Sequence, residues 1–279
     1  MDATVFIIVA SALFGACFGS FLNVCVSRWP AGLSVVRPAS RCPKCEREIR
    51  WHENVPILGW LRLRGKCAGC ALPISIEYPI VELTVALLWA GAAYLAGWGL
   101  DALRLGTFVT IMLGITLTDA KHYVIPDGFT VFGFFFVLVT SVIAFFSGAP
   151  EQWFATPIDA MYGACAGAGF IAIIGWLGEV ALKKEAMGFG DATLMAVVGA
   201  ALGPSRAIIT VFVAAALGAT VFLCVVYPIV WIRAQRGGRE FEPPLVPFGV
   251  FLAPASVVML LAGHSLLEWG GTLLGVPLH

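Results

Sequence analysis

The chain has 279 residues, of which 59% are hydrophobic and 12% are charged, with a formal net charge of zero and a mean hydropathy of +0.91. Soluble globular domains carry about 25% charged residues, so this composition excludes an ordinary soluble protein. It indicates a membrane protein with several spans. The first apolar stretch, residues 5–26, lacks a basic leader and a cleavage site, and we expect it to be retained as a span rather than removed as a signal peptide.

Apolar runs predict an all-α polytopic fold with about eight transmembrane helices. The expected domains are a first transmembrane helix at 1–27, a cytoplasmic four-cysteine module at 28–78 and a seven-helix membrane core at 79–279. The sixth run is the shortest, and it either begins before residue 190 or forms a short helix inside the bundle. The runs lie near residues 4–27, 80–98, 102–119, 128–147, 157–182, 190–203, 207–231 and 247–269.

Basic residues are concentrated on one side of these predicted helices. The loop from Arg28 to Lys66 holds nine of them, and fifteen of the seventeen Lys and Arg residues fall on this side in total. Only Arg104 and Arg206 fall on the other side. Because cytoplasmic loops carry the excess of Lys and Arg, we expect this loop to be cytoplasmic and both termini to lie outside.

Four cysteines in the first loop form two matched pairs, Cys42-Pro-Lys-Cys45 and Cys67-Ala-Gly-Cys70, with 21 residues between them. Four thiolates in this pattern are typical of a tetrahedral structural zinc site, which would also offset the small core of the module. Disulfides and a redox pair are the alternatives, but the cytoplasm is reducing and neither explains two matched pairs. We therefore expect one structural Zn²⁺ per chain. The other four cysteines lie in apolar runs and are expected to pack in the core.

Two aspartates stand at the borders of apolar runs. Asp119 follows the run 111–118, and Asp191 follows two glycines and opens the run 192–202. A carboxylate at a membrane border is costly, which favours a functional role, although Asp191 alone could simply cap a helix. Both acids fall at predicted cytoplasmic helix ends, so we interpret them as a pair. Two carboxylates that share a site cannot both ionise cheaply, and one can act as a base on water while the other holds a proton.

Weaker candidates are found near this pair and in the first helices. Gly188 and Gly190 would let the backbone approach an extended substrate, and Glu185 precedes them. Asn23, at the end of the first helix, either packs between helices or faces a substrate. Glu82, one turn into the second helix, is either a solvated interfacial charge or a contact for substrate or cofactor.

The order of these motifs resembles that of the bacterial type IV prepilin peptidases, or leader peptidase/N-methyltransferases, which are membrane aspartyl proteases with a Gly-x-Gly-Asp motif. The family often has an acid two residues after its first catalytic aspartate and a basic residue two after its second, where this chain has Lys121 and Thr193. The resemblance covers nearly the whole chain and rests on Gly19-Ser-Phe-Leu-Asn23, the four cysteines, Ile74-Ser-Ile-Glu-Tyr78-Pro79-Ile-Val-Glu82-Leu, Asp119 with Pro126-Asp127, Glu185-Ala-Met-Gly-Phe-Gly-Asp191 and Pro247-Phe-Gly249.

The resemblance implies that Asp119 and Asp191 are the catalytic pair of an aspartic endopeptidase. Its expected substrates are prepilins and pseudopilins of type IV pili and type II secretion, cut after a short basic leader at the cytoplasmic face of the bacterial inner membrane. Many family members then methylate the new N-terminus, which implies S-adenosylmethionine as a methyl donor and a multifunctional enzyme. Membrane lipid is the other expected partner, and no nucleic acid is expected.

Three other interpretations remain open from the sequence. The chain could be a peptidase without methyltransferase activity, in which case the cysteine module would only position the basic leader. It could instead be a cation or proton transporter that uses the two aspartates, although such acids are expected nearer the bilayer midplane. A pure assembly scaffold is the third alternative, and it leaves both acids unexplained.

Overall fold

The computed structural model describes residues 2–148, 153–183, 187–237 and 246–274. Within these ranges the chain is helical and contains no strand, which confirms the expected all-α class. A π-helical segment, Phe222–Val226, joins the eighth helix to the ninth. The helices are α1 (Ala3–Arg28), α2 (Leu58–Arg62), α3 (Glu77–Ala96), α4 (Leu100–His122), α5 (Asp127–Ser147), α6 (Pro157–Leu182), α7 (Phe189–Leu202), α8 (Pro204–Val221), α9 (Tyr227–Gly237) and α10 (Gly249–Leu274).

All eight predicted runs coincide with apolar helices. In the described part of the chain, six helical stretches are long and apolar enough to cross a membrane: α1, α3, α4, α5, α6 and the continuous stretch from α8 into α9. The other two runs fall on α7, a shorter apolar helix at Phe189–Leu202, and on the 26-residue α10, which contains the apolar stretch Gly249–Gly263. With 14 residues, α7 is about 21 Å long, which is less than the hydrocarbon core of about 30 Å. The short sixth run is therefore a helix inside the protein.

The chain divides into two compact units, Met1–Gly114 and Ile115–His279. In the first unit, α1 packs side by side with α3. The contact is close at Gly19, where a Cβ atom would lie 2.7 Å from the Cα of Glu82. Next to it, the ring of Phe18 stacks on Trp89 with centroids 5.1 Å apart. Small and aromatic residues thus bring the two helices together, as expected for packing between apolar helices in a membrane.

In the second unit, α7 is the central helix and its residues 197–202 are all buried. It packs against α5, α6, α8 and α10. The backbones of α6 and α7 touch where Gly163 faces Gly199, because a Cβ atom on either residue would overlap the carbonyl of the other. This close packing on several sides fixes the direction of α7 and the position of its N-terminal turn, which carries Asp191.

Candidate active site and metal site

Asp119 lies near the end of α4 and is only 5% exposed. Its Oδ2 atom accepts a hydrogen bond of 3.1 Å from the backbone N–H of Val250 in the first turn of α10. The first N–H groups of a helix have no partner within the helix and carry partial positive charge. The N-terminus of α10 therefore holds this carboxylate in place and stabilises negative charge on it.

Gly249 begins α10 directly beside this carboxylate. A Cβ atom at this position would lie 2.7 Å from Oδ2 of Asp119 and 3.0 Å from Cδ1 of Ile125. Real Cβ atoms do not approach other heavy atoms so closely, so a side chain here would displace the carboxylate or Ile125. Gly249 belongs to the Pro247-Phe-Gly249 motif of the family resemblance, but the sequence alone indicates no role for it in the site.

Asp191 stands in the first turn of α7 and is partly exposed. Its own N–H donates to the carbonyl of Gly188 at 3.1 Å, and its carboxylate interacts electrostatically with that of Asp119. Gly188 is exposed beside it, with 3.8 Å between Oδ2 of Asp191 and the position that a Cβ atom would take. The two acids that the sequence pairs are therefore neighbours in the structure.

Ile125 lies between the two helix N-termini that carry the site. A Cβ atom on Gly190 would be 3.0 Å from the Cβ of Ile125, and one on Gly249 would be 3.0 Å from its Cδ1. Ile125 precedes Pro126 and α5, so the α4–α5 connection, α7 and α10 converge on one point. Sequence reasoning missed Ile125, because a single apolar residue after an apolar helix gives no signal of its own.

The remaining candidates of the sequence analysis fall elsewhere. Glu185 lies outside the described residues. Asn23 donates from Nδ2 to the carbonyl of Tyr78 at 3.1 Å. Glu82 is 8% exposed and accepts at Oε2 from the N–H of Ile57 at 2.7 Å. Both side chains have hydrogen-bond partners within the first unit, where Asn23 connects α1 to the first turn of α3 and Glu82 connects α3 to the loop between the two helices.

The four loop cysteines converge as predicted. Their sulfur atoms all lie within 4.8 Å of one another, and the Cys42–Cys70 and Cys45–Cys67 pairs are each 3.9 Å apart. A disulfide requires about 2.05 Å, whereas two ligands of a tetrahedral ion with Zn–S bonds of about 2.3 Å lie about 3.8 Å apart. The cluster therefore has the geometry of a four-thiolate metal site rather than of two disulfides.

The two cysteine knuckles have the same backbone conformation. In each, the N–H of the first cysteine donates to the carbonyl five residues later, and the residue after the second cysteine has positive φ, 56° at Glu46 and 59° at Ala71. The N–H groups of Cys70 and Gly69 donate to the sulfur of Cys67 and lower the pKa of its thiol to about 6. These two N–H groups thus favour the thiolate form of Cys67, which is the form that binds a metal.

An ion pair fixes the first knuckle to the turn that follows it. Arg47 donates two hydrogen bonds to Glu53, of 3.0 and 2.8 Å. This bidentate contact lowers the pKa of Glu53 to about 2 and keeps its carboxylate charged at every ordinary pH. Sequence reasoning had no signal for this pair, since neither residue belongs to a motif.

Comparison with known proteins supports these observations over most of the chain. Residues 13–96 match the bacterial peptidase A24 N-terminal domain, and residues 105–223 match the type IV leader peptidase family. A protein of Stutzerimonas stutzeri named prepilin leader peptidase/N-methyltransferase is 30% identical over 282 residues, which cover 93% of this chain and 92% of that protein. The chain belongs to the type IV leader peptidase family. It is therefore a membrane peptidase, and the transporter and scaffold alternatives lose their support.

Two further relatives with the same name extend the comparison. The Pseudomonas putida protein is 31% identical over 297 residues, covering 99% of this chain and 97% of its own length. The Myxococcus xanthus protein is 37% identical over 190 residues, which are 68% of this chain and 54% of that protein. No solved structure matches the chain significantly. These relatives and the six apolar helices identify a multi-pass membrane member of the family.

Proposed function

We propose that this peptidase removes the leader from type IV prepilins and pseudopilins, with Asp119 and Asp191 as its catalytic pair. The observation that carries the proposal is that the N-terminus of α7, which bears Asp191, and the N-terminus of α10, which binds Asp119, both pack against Ile125. In a leader peptidase, two such acids have the arrangement that water activation requires.

The reaction uses one ionised and one protonated carboxylate. The ionised acid takes a proton from water as the oxygen attacks the scissile carbonyl, while the protonated acid donates to the carbonyl oxygen. The tetrahedral intermediate then collapses, the C–N bond breaks, and the leaving nitrogen receives a proton to become the new amine. A backbone N–H group stabilises charge on each acid, that of Val250 on Asp119 and that of Gly188 on Asp191, so the two carboxylates share one proton and titrate as a pair.

The glycines beside the acids leave room for the substrate. Gly188 is exposed, and the atoms nearest to the position of a Cβ atom on Gly190 belong to Ile125. An extended peptide can therefore approach the N-terminal turn of α7 without meeting a side chain at either position. Glu185, just upstream in the sequence, is proposed to contribute charge to the same active-site loop.

The distribution of basic residues supports cleavage at the cytoplasmic face of the inner membrane. Fifteen of the seventeen Lys and Arg residues fall on the side to which Asp119 and Asp191 are assigned. Such an excess marks the cytoplasmic side. The cysteine loop is proposed to lie there as well, where a reducing environment keeps its thiols available for metal.

We also propose that the new N-terminus is methylated by S-adenosylmethionine. S-adenosylmethionine would supply the methyl group to the free amine, with S-adenosylhomocysteine and a proton as the other products. The names of three relatives support this second activity. The four-thiolate cluster is proposed to hold one structural Zn²⁺, since four sulfurs at these distances leave no open position for metal catalysis.

The test is to incubate the purified full chain with a prepilin-like peptide, with and without S-adenosylmethionine, and to measure the products by mass. Loss of the leader in both reactions, with one added methyl group only when the donor is present, is the expected result. Cleavage without methylation would leave only the peptidase. No cleavage by a folded, metal-loaded chain would contradict the proposed function.

A further inference from the structure

The loop between α1 and α3 is strongly basic. Residues 28–78 contain nine Lys and Arg and four Glu, a formal net charge of +5. A divalent ion held by four thiolates adds a charge of −2 and leaves the loop positive. Such a loop attracts an anionic surface and repels a basic peptide.

Part of this loop also exposes large apolar side chains, which a soluble module would bury. Trp51 is 83% exposed, Leu58 is 64% exposed and Leu61 is 56% exposed. These three residues and Arg62 line one groove of about 500 Å³. We call residues 50–64 the anchor segment; its apolar side chains are bordered by the exposed arginines at positions 50, 62 and 64.

Contacts to α1 and α3 place the middle of the anchor segment beside the last turns of α1 and the first turns of α3. Glu82, in the second turn of α3, accepts from the N–H of Ile57 at 2.7 Å. Asn54 and Pro56 share a cavity of about 390 Å³ with Ser20 of α1. Ser20 is eight residues before the end of α1, which corresponds to about 12 Å along the helix. Residues 54–57 therefore lie beside the membrane helices and below their loop-side ends.

We propose that the anchor segment is an interfacial membrane anchor that binds anionic phospholipid. Trp51, Leu58 and Leu61 enter the boundary between head groups and acyl chains, where Trp is favoured. The bordering arginines bind the lipid phosphates. Both the depth of the segment and its charge favour lipid over the basic leader of a prepilin, which the arginines would repel.

Lipid binding would also position the metal cluster. The Arg47–Glu53 ion pair joins the first cysteine knuckle to the anchor segment. The anchor therefore holds the cluster at a fixed height above the bilayer. This role is independent of the peptidase chemistry, because no residue of the anchor segment belongs to the aspartate site.

The test uses the full chain in lipid nanodiscs with the photoreactive amino acid p-benzoylphenylalanine in place of Leu61. The matched control carries the same group in place of Glu48, which has a side chain 63% exposed but lies on the cysteine knuckle. Nanodiscs of phosphatidylcholine alone are compared with nanodiscs that also contain phosphatidylglycerol. Adducts are identified by mass, in samples with and without prepilin. Only variants that keep the wild-type melting temperature are compared.

We expect phospholipid adducts at position 61, several-fold more in the phosphatidylglycerol discs, and few at position 48. Arg62→Gln should reduce the preference for phosphatidylglycerol about five-fold, as expected for one arginine near an anionic surface, whereas Lys44→Gln should not change it. Adducts mainly to prepilin or to a second copy of the chain would overturn the proposal. Equal lipid labelling at both positions, or no increase with phosphatidylglycerol, would overturn it as well.

Discussion

Gly249 lies directly against the carboxylate of Asp119, with 2.7 Å between Oδ2 and the position that a Cβ atom would occupy. The next residue, Val250, donates its N–H to the same oxygen at 3.1 Å. The start of α10 therefore fits around this carboxylate, and only glycine leaves room for it. A change at position 249 acts on the active site without removing any charged group.

We predict that Gly249→Ala lowers prepilin cleavage by about 100-fold, because the new methyl group displaces the Asp119 carboxylate, and displacements of about 1 Å can cost that much. The folded state should be little affected, since alanine favours a helix more than glycine does. The measurement is the rate of cleavage in detergent, with the melting temperature recorded beside it.

Gly169→Ala is the matched control, because a Cβ atom there would have no other atom within 4 Å. It should cleave at the wild-type rate. Wild-type activity of Gly249→Ala would mean that the carboxylate of Asp119 is not confined as the structure shows.

The close contact between α6 and α7 predicts a change in folding stability that does not involve the active site. Gly167→Ala places a methyl group against the carbonyl of Met195, whereas Gly169→Ala, two residues along the same helix, meets nothing. Overpacking of this kind costs about 1–3 kcal/mol. Gly167→Ala should therefore lower the melting temperature, and Gly169→Ala should leave it equal or slightly higher. Equal melting temperatures for the two variants would contradict the close approach of the helices.

Metal content tests the cysteine cluster. The purified chain should hold about one zinc ion, and Cys67→Ser should lose it, because three thiolates and a hydroxyl bind zinc more weakly than four thiolates. Residues 42–70 should then become sensitive to protease. The control is Cys165→Ser, which changes an exposed free cysteine of α6 and should keep its metal. Zinc retained by Cys67→Ser at the wild-type level would argue against a four-cysteine site.

The sequence predicted most helices because an apolar run in a membrane protein is visible in composition alone. The predicted runs 128–147 and 157–182 agree with α5 and α6 to within one residue. The cysteine cluster was predictable for a different reason, since paired Cys-x-x-Cys motifs place their ligands by local backbone geometry. The pairing of Asp119 with Asp191 followed from the side of the membrane on which each apolar run ends.

Contacts between distant residues could not be predicted in this way. The hydrogen bond from Val250 to Asp119 joins residues 131 positions apart, and no periodicity or spacing encodes it. The same is true of the bond between Ile57 and Glu82, 25 positions apart. One of the eight expected spans, the sixth, is the short apolar helix α7 in the described structure, because hydropathy does not distinguish a lipid-facing helix from one surrounded by protein.

The central claim is that Asp119 and Asp191 together activate water, and the most direct measurement is cleavage of a prepilin-like peptide by Asp119→Asn and Asp191→Asn. Each variant keeps the shape of the side chain and removes its ability to exchange a proton, so each should lose at least about 100-fold in rate. Melting temperature and metal content should stay unchanged. Asp159→Asn, an exposed acid in the first turn of α6, should cleave normally. Either dyad variant retaining more than a few per cent of wild-type cleavage would contradict the account.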